Sequence, residues 1–247
     1  MIFLAGLPRS GSTVLASLLS QRPDTYVSGT SGLGVMISTA INIWGGDNQI
    51  KVGISNGDGD IKRVLRAIIK AFYETRSESI IIDKSRGWAS PEAIKQMLEI
   101  QDNVKIIATV RPIGECVASF VKLVKPTNVK TYCSGAPELN LLFRSYDALR
   151  RGYEKYSECF LLVDYDTLVS NPQKEADRIS DFLELHSFKH DLNNLSPVAE
   201  DDELWGIPDL HKVRPKMKKN EFSRKDILGS ELWEHFQGGE FWNAKSK

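Results

Sequence analysis

Short, nearly uninterrupted apolar runs alternate along this chain with longer stretches whose apolar positions recur every three or four residues. Runs of that kind are strands covered on both faces, and the 3.6-residue recurrence is one face of a helix. The pattern predicts strands over residues 2–5, 25–28, 79–83, 104–110 and 159–163. It predicts a helix over residues 33–44, with Leu33, Met36, Ile37, Ala40, Ile41 and Trp44 on one stripe. Asp60 can cap a second helix carrying Ile61, Val64, Leu65, Ile68, Ile69 and Phe72. Ser90-Pro91 caps and starts another that runs to about Ile100, Pro112 opens the next, and Asn171-Pro172 caps one that runs to about Leu183. Leu139, Leu142, Phe143, Tyr146, Leu149, Tyr153 and Tyr156 mark a long helix.

Strands alternating with helices imply an α/β fold: a three-layer sandwich with a central parallel sheet and helices on both faces. Residues 45–60 hold five glycines and three aspartates, which predicts a mobile loop. Beyond residue 184 the periodicity weakens. The expectation is one domain over residues 1–247, with a core of 1–184 and an irregular C-terminal lid or wrap over 185–247.

Composition narrows the function classes only slightly. Lys plus Arg and Asp plus Glu both number 32, so net charge gives no reason to expect nucleic acid or a membrane surface as partner. Three cysteines show neither metal-ligand spacing nor a disulfide framework, which fits a reducing compartment. No stretch reaches the length of a membrane span and no leader precedes the first strand, so the expected location is the cytoplasm.

The most informative segment is Gly6-Leu7-Pro8-Arg9-Ser10-Gly11-Ser12-Thr13, between the first strand and an apolar helix. A glycine loop opening a helix aims backbone N–H groups at an anion, where the helix dipole also favours negative charge. The spacing is that of a nucleotide P-loop, yet Ser12 stands where lysine would follow the second glycine. The one cation in the loop is Arg9. A phosphate cradle without that lysine points to a different phosphorylated donor.

The Pro-Arg-Ser-Gly-Ser-Thr stretch resembles the 5′-phosphosulfate loop of sulfotransferases, which use 3′-phosphoadenosine 5′-phosphosulfate (PAPS). Three further segments resemble that family in the same order, so the likeness spans residues 2–172. Lys84 closes the predicted strand 79–83, where the family has a lysine that assists departure of the bridging oxygen. Arg111 leaves the next strand with Ser119 eight residues on, the spacing of the family's 3′-phosphate signature. Pro112 departs from it, since many members place one residue between the arginine and the proline. Tyr165 takes the position of a tyrosine that lies against adenine. On residues alone, Lys84 reads first as a surface lysine paired with Asp83, and Tyr165 equally as a core tyrosine.

The resemblance implies a sheet related to nucleotide kinases and transfer of a sulfuryl group from PAPS to a hydroxyl or amine, releasing adenosine 3′,5′-bisphosphate. It implies cofactor binding by Pro8, Arg9, Ser10, Gly11, Ser12, Thr13, Arg111, Ser119 and Tyr165. Arg9, Lys84 and Arg86 are the implied catalytic cations, and no metal is required. Five cations fall within residues 212–219, and the family's basic closing segment makes Arg214 the choice for reaching the 3′-phosphate. The acceptor remains a small molecule, a sugar or a peptide. A P-loop nucleotide kinase and a non-catalytic nucleotide-binding module are the competing readings. The family's bases are absent from their usual places. Arg86 stands where cytosolic members have histidine, and residues 28–32 lack the glutamate of carbohydrate and tyrosine sulfotransferases. The expectation is that no single residue serves as essential base, with His211 as the alternative.

Overall fold

The computed structural model describes residues 1–57, 59–200, 202–218 and 223–243. The elements run β1 (Ile2–Gly6), α1 (Ser12–Leu19), β2 (Thr25–Thr30), α2 (Leu33–Gly46), α3 (Asn48–Ser55), α4 (Ile61–Phe72), β3 (Ile80–Lys84), α5 (Pro91–Leu98) and β4 (Ile106–Val110). They continue with α6 (Ile113–Val124), α7 (Val129–Cys133), α8 (Pro137–Lys155), β5 (Phe160–Asp164), α9 (Tyr165–Ser170), α10 (Pro172–Leu183), α11 (Asp202–Trp205) and α12 (Arg224–His235).

The strands pair in the order β2-β3-β1-β4-β5, all parallel. Side chains alternate across the sheet, so β1 sends Phe3 and Ala5 to one face and Leu4 to the other. Phe3 and Ala5 pack with Leu33, Ile37, Leu65, Ile94 and Leu142, whereas Leu4 packs with Leu15, Leu18, Leu168 and Ile179. Two apolar layers on opposite faces make the predicted three-layer sandwich.

The strand order fixes where a ligand can sit. From β1 the chain lays β2 and β3 on one side, then crosses to place β4 and β5 on the other. Such a reversal opens a crevice at the carboxyl end of the central strand. The loop 6–13 leaves β1 there. Lys84 is the last residue of β3, Arg111 follows β4, and Tyr165 follows β5.

Two expectations need correction. Residues 45–60 are not one loop, because α3 occupies Asn48–Ser55. The Asp47 side chain accepts from the Gln49 and Ile50 N–H groups at 2.9 and 3.1 Å, and this cap supports a short helix that glycine content argued against. The 185–247 segment is not irregular throughout either. It carries α11 and α12, and α12 packs on α6. Gly229 interrupts α12 with φ 75° and ψ 161°, which breaks the periodicity that would have revealed it.

Gly6 illustrates how tightly β1 and β4 meet. Its φ is 146°, and a Cβ there would lie 2.1 Å from the Thr109 hydroxyl oxygen and 2.7 Å from the Thr109 carbonyl oxygen. Gly6→Ala should therefore cost about 3 kcal/mol, from strain and forced separation of the strands. Urea unfolding checks this; a loss within about 0.5 kcal/mol, the range of an uneventful surface change, would contradict it.

Candidate active site

The loop after β1 is built to expose amide groups. Leu7 N–H continues the ladder to the Thr109 carbonyl at 3.0 Å. Arg9 and Gly11 then take positive φ, 68° and 94°, which turns successive N–H groups inward as in an anion-binding nest. The Arg9 conformation is costly for a non-glycine residue, and such strain clusters at ligand clamps. The first α1 helical bond runs from Leu15 N–H to Gly11 O at 2.9 Å, so the amides of residues 12–14 have no partner within the helix. Gly11 has no room for a side chain, since a Cβ would lie 2.7 Å from the Tyr165 ring.

Ser10 serves the loop differently from the sequence expectation. Its N–H donates to Leu7 O at 3.1 Å. Its buried hydroxyl contacts Leu7 O at 2.6 Å, Thr109 O at 3.0 Å and Thr109 Oγ1 at 2.6 Å. Ser10 thus ties the loop to β4, and the amides left for an anion belong to Gly11, Ser12 and Thr13. Pro8 is buried beside them.

Arg9, Arg111 and Ser119 come together. Arg9 Nε donates to Ser119 Oγ at 3.2 Å, and Arg111 Nη1 donates to the Arg9 carbonyl at 3.1 Å. Arg111 is 2% exposed, and its guanidinium lies 4.0 Å from the centre of the Tyr165 ring. Its Nε donates to Glu115 at 3.0 Å, while its Nη2 is buried without a hydrogen-bond partner among the described residues. A buried donor in that state is one that a ligand oxygen would satisfy. Tyr165, 6% exposed, sits between Gly11 and Arg111 as a prop for both.

Lys84 ends β3, on the opposite side of β1 from β4 and Arg111. Its Nζ donates to Glu200 Oε1 in a short ion pair, and its N–H donates to Ser28 Oγ at 2.8 Å. Burial pulls the Lys84 ammonium below its ordinary range, against the pull of Glu200 in the opposite direction. Asp83 is not its partner: the neighbouring strand position faces away and accepts from Tyr73 and from Trp88 Nε1, the latter at 2.5 Å. Arg86 lies in the turn after β3, where burial lowers its pKa against the opposing pull of the Glu200 charge.

The tail supplies groups that sequence position could not reveal. Glu200 also accepts from Thr30 N–H at 2.9 Å, and its Oε2 lies 3.9 Å from His211 Nδ1. Burial pushes the Glu200 carboxyl up, but the Lys84 hydrogen bond and charge, with Thr30 and His211, hold it below its usual range. His211 Nδ1 is pinned by Asp202 at 2.6 Å. The Leu210 carbonyl accepts from Arg9 Nη1 at 2.5 Å. Arg224, at the start of α12, reaches Glu115 at 2.9 Å and so joins the Arg111 cluster. Arg214 is exposed and contacts none of these groups among the described residues, so the tail cation near Arg111 is Arg224.

A model of the sulfotransferase family matches residues 58–189, just over half of the chain. The chain belongs to the sulfotransferase family. The match begins after the 6–13 loop, so the loop stands on its own geometry. This family member superposes on the sulfotransferase domain from the curacin biosynthetic pathway with a TM-score of 0.55 and 18% identity, over 97% of this chain and 92% of that one. The sulfotransferase from Alicyclobacillus acidocaldarius gives 0.54 and 16%, over 85% and 87% of the two chains. The sulfotransferase domain of the Synechococcus PCC 7002 olefin synthase gives 0.52 and 19%, over 96% and 94%. At such identities the likeness establishes the α/β fold. No curated protein sequence matches the chain. No helix among the described residues is long and apolar enough to cross a membrane.

Proposed function

We propose that residues 1–247 form one PAPS-dependent sulfotransferase domain that moves a sulfuryl group to an acceptor hydroxyl or amine and releases adenosine 3′,5′-bisphosphate. The observation that carries this reading is the placement of Arg9, Lys84 and Arg111 at the carboxyl ends of three neighbouring strands, beside a phosphate-type loop with no lysine at position 12.

The amides of Gly11, Ser12 and Thr13, with Arg9, would hold the 5′-phosphosulfate. Arg111 and Ser119 would hold the 3′-phosphate, and the unpartnered Arg111 Nη2 fits that task. Lys84 would donate to the bridging oxygen as charge develops on it. Sulfuryl transfer by in-line attack needs positioning and fixed positive charge more than covalent help from the protein. Arg9 and Lys84 contact Leu210 O and Glu200 in this structure, so donor binding exchanges those tail contacts for phosphosulfate oxygens.

A kinase of similar fold would need a loop lysine and Mg²⁺ for β/γ-phosphates. Adenosine 3′,5′-bisphosphate at a hundred times its Kd should add about 2.7 kcal/mol of stability, while ATP with Mg²⁺ adds little. Thermal melting compares the two directly. Equal stabilisation by ATP would overturn the donor assignment.

A further inference from the structure

At Glu200, the partner of Lys84, lies a cavity of about 570 Å³ lined by Thr30, Ala199, Glu200, Leu204 and Trp205. Its size falls within the range of small-molecule sites. Its walls are one-sided in character: Leu204 and Trp205 are large apolar side chains left 85% and 44% exposed, and Ala199 adds to them. Among the described lining residues, polar side chains come from Thr30 and Glu200. Thr30 N–H and Oγ1 both already contact Glu200. Glu200 is therefore the group at which the cavity meets the donor-side lysine.

We infer that this cavity receives the acceptor, an uncharged alcohol with an apolar body, and that Glu200 takes the proton of its hydroxyl. This rests on the donor assignment above. A sugar carries several hydroxyls that such walls would leave without partners, and each unmade hydrogen bond costs binding. An acidic peptide or other anion would meet the Glu200 carboxylate, whose own charge already offsets the cations behind it, and no described lining residue is a cation. An alkyl alcohol places its body against Leu204 and Trp205 and a single hydroxyl at Glu200.

In the step, the acceptor oxygen forms a bond to sulfur while the sulfur–oxygen bond to the 5′-phosphate breaks. The bonding pair leaves with the phosphate oxygen of adenosine 3′,5′-bisphosphate, and the hydroxyl proton passes to a Glu200 oxygen and then to water. Nothing is oxidised or reduced. Lys84 links the two events. While it contacts Glu200, it holds the carboxylate low. When Lys84 turns to the bridging oxygen, that hold weakens and the carboxylate becomes a better proton acceptor as the acceptor loses its proton.

Among the described residues, the charged and titratable groups around Glu200 are Lys84 on β3, Arg86 in the following turn, and His211 and Asp202 from the tail. Three of the four can carry positive charge, which favours an ionised Glu200 near neutral pH. Activity should then fall on the acid side as the Glu200 carboxylate protonates, a limb distinct from the alkaline fall as the Lys84 ammonium loses its proton.

The test pairs labelled PAPS with 1-octanol, N-acetylglucosamine and an acidic tyrosine peptide, alongside calorimetry with adenosine 3′,5′-bisphosphate. 1-Octanol should show the highest kcat/KM, by about tenfold or more, given what a polar solute loses against apolar walls. Glu200→Gln should lower kcat with 1-octanol about 10²-fold and abolish the acid limb of the pH profile, with nucleotide affinity within about threefold of the parent. Glutamine keeps an oxygen for Lys84 and Thr30, so the fold should hold. Trp205→Ala, at an exposed position, should raise KM for 1-octanol about tenfold with kcat and nucleotide affinity unchanged. Preference for the sugar or the peptide, or a Glu200→Gln enzyme with full kcat, would overturn the inference. A parent enzyme that binds no adenosine 3′,5′-bisphosphate would sink the donor assignment, and this inference with it. One that binds the nucleotide yet prefers the sugar sinks this inference alone.

Discussion

Lys84→Ala should lower kcat by about 10²-fold or more while adenosine 3′,5′-bisphosphate binds with only modestly reduced affinity. Negative charge on the bridging oxygen appears as the sulfur–oxygen bond stretches, so a fixed ammonium helps the transition state more than the ground state. Lys84 is suited to that role because β3 holds its backbone, with its N–H on Ser28 Oγ and its ammonium buried among side chains of the crevice. The substitution has a second effect. It leaves the Glu200 carboxylate, only 7% exposed, without its closest cation, at a stability cost of about 3 kcal/mol. The double variant Lys84→Ala/Glu200→Gln should recover much of that stability without recovering kcat. Steady-state kinetics with thermal melting on both variants separates the two effects. A single variant with normal kcat and raised KM would remove Lys84 from the transition state.

Arg111→Ala should weaken adenosine 3′,5′-bisphosphate by about 2–4 kcal/mol, the scale of a buried charge-assisted contact. Adenosine 5′-phosphate lacks the 3′ group and should lose much less. The geometry explains why the effect should be large. Arg111 is fixed on three sides by Glu115, the Arg9 carbonyl and the Tyr165 ring, so its remaining Nη2 is oriented before any ligand arrives. Glu115 stays paired with Arg224 in the variant, which limits the structural damage. Arg111→Lys should not rescue binding fully, because an ammonium lacks the planar fork that stacks on Tyr165 while contacting two oxygens. Calorimetry with the two nucleotides decides the matter: equal losses for both would make Arg111 a structural residue.

Local pattern carried most of the fold. The five apolar runs predicted as strands are all strands of the sheet, shifted by one or two residues at their ends. The shift at β3 matters, since it makes Lys84 the last strand residue and not the first loop residue. The caps at Asp60 and Ser90 were readable because a capping side chain acts on amides two or three residues away, whereas the expected Asn171 cap fails: its side chain makes no capping hydrogen bond and α10 starts on Pro172 alone. α3 and α12 were not readable. In α3 the cap at Asp47 outweighs the glycines around it, and in α12 the kink at Gly229 scrambles the apolar stripe.

By itself, the sequence determined the alternation of strands and helices, the loop that opens α1 and the cations at the ends of β1, β3 and β4. Those features depend on residues within a few positions of one another, where periodicity, capping and turn chemistry act. Only the tertiary structure decided which tail groups reach the crevice. Glu200 meets Lys84 across 116 positions, Leu210 meets Arg9 across 201, and Arg224 rather than Arg214 joins Glu115 and the Arg111 cluster. No periodicity encodes such pairings. They follow from how the segment after α10 crosses the carboxyl edge of the sheet, where burial and opposite charge bring a carboxylate to a lysine that its own strand neighbour, Asp83, faces away from.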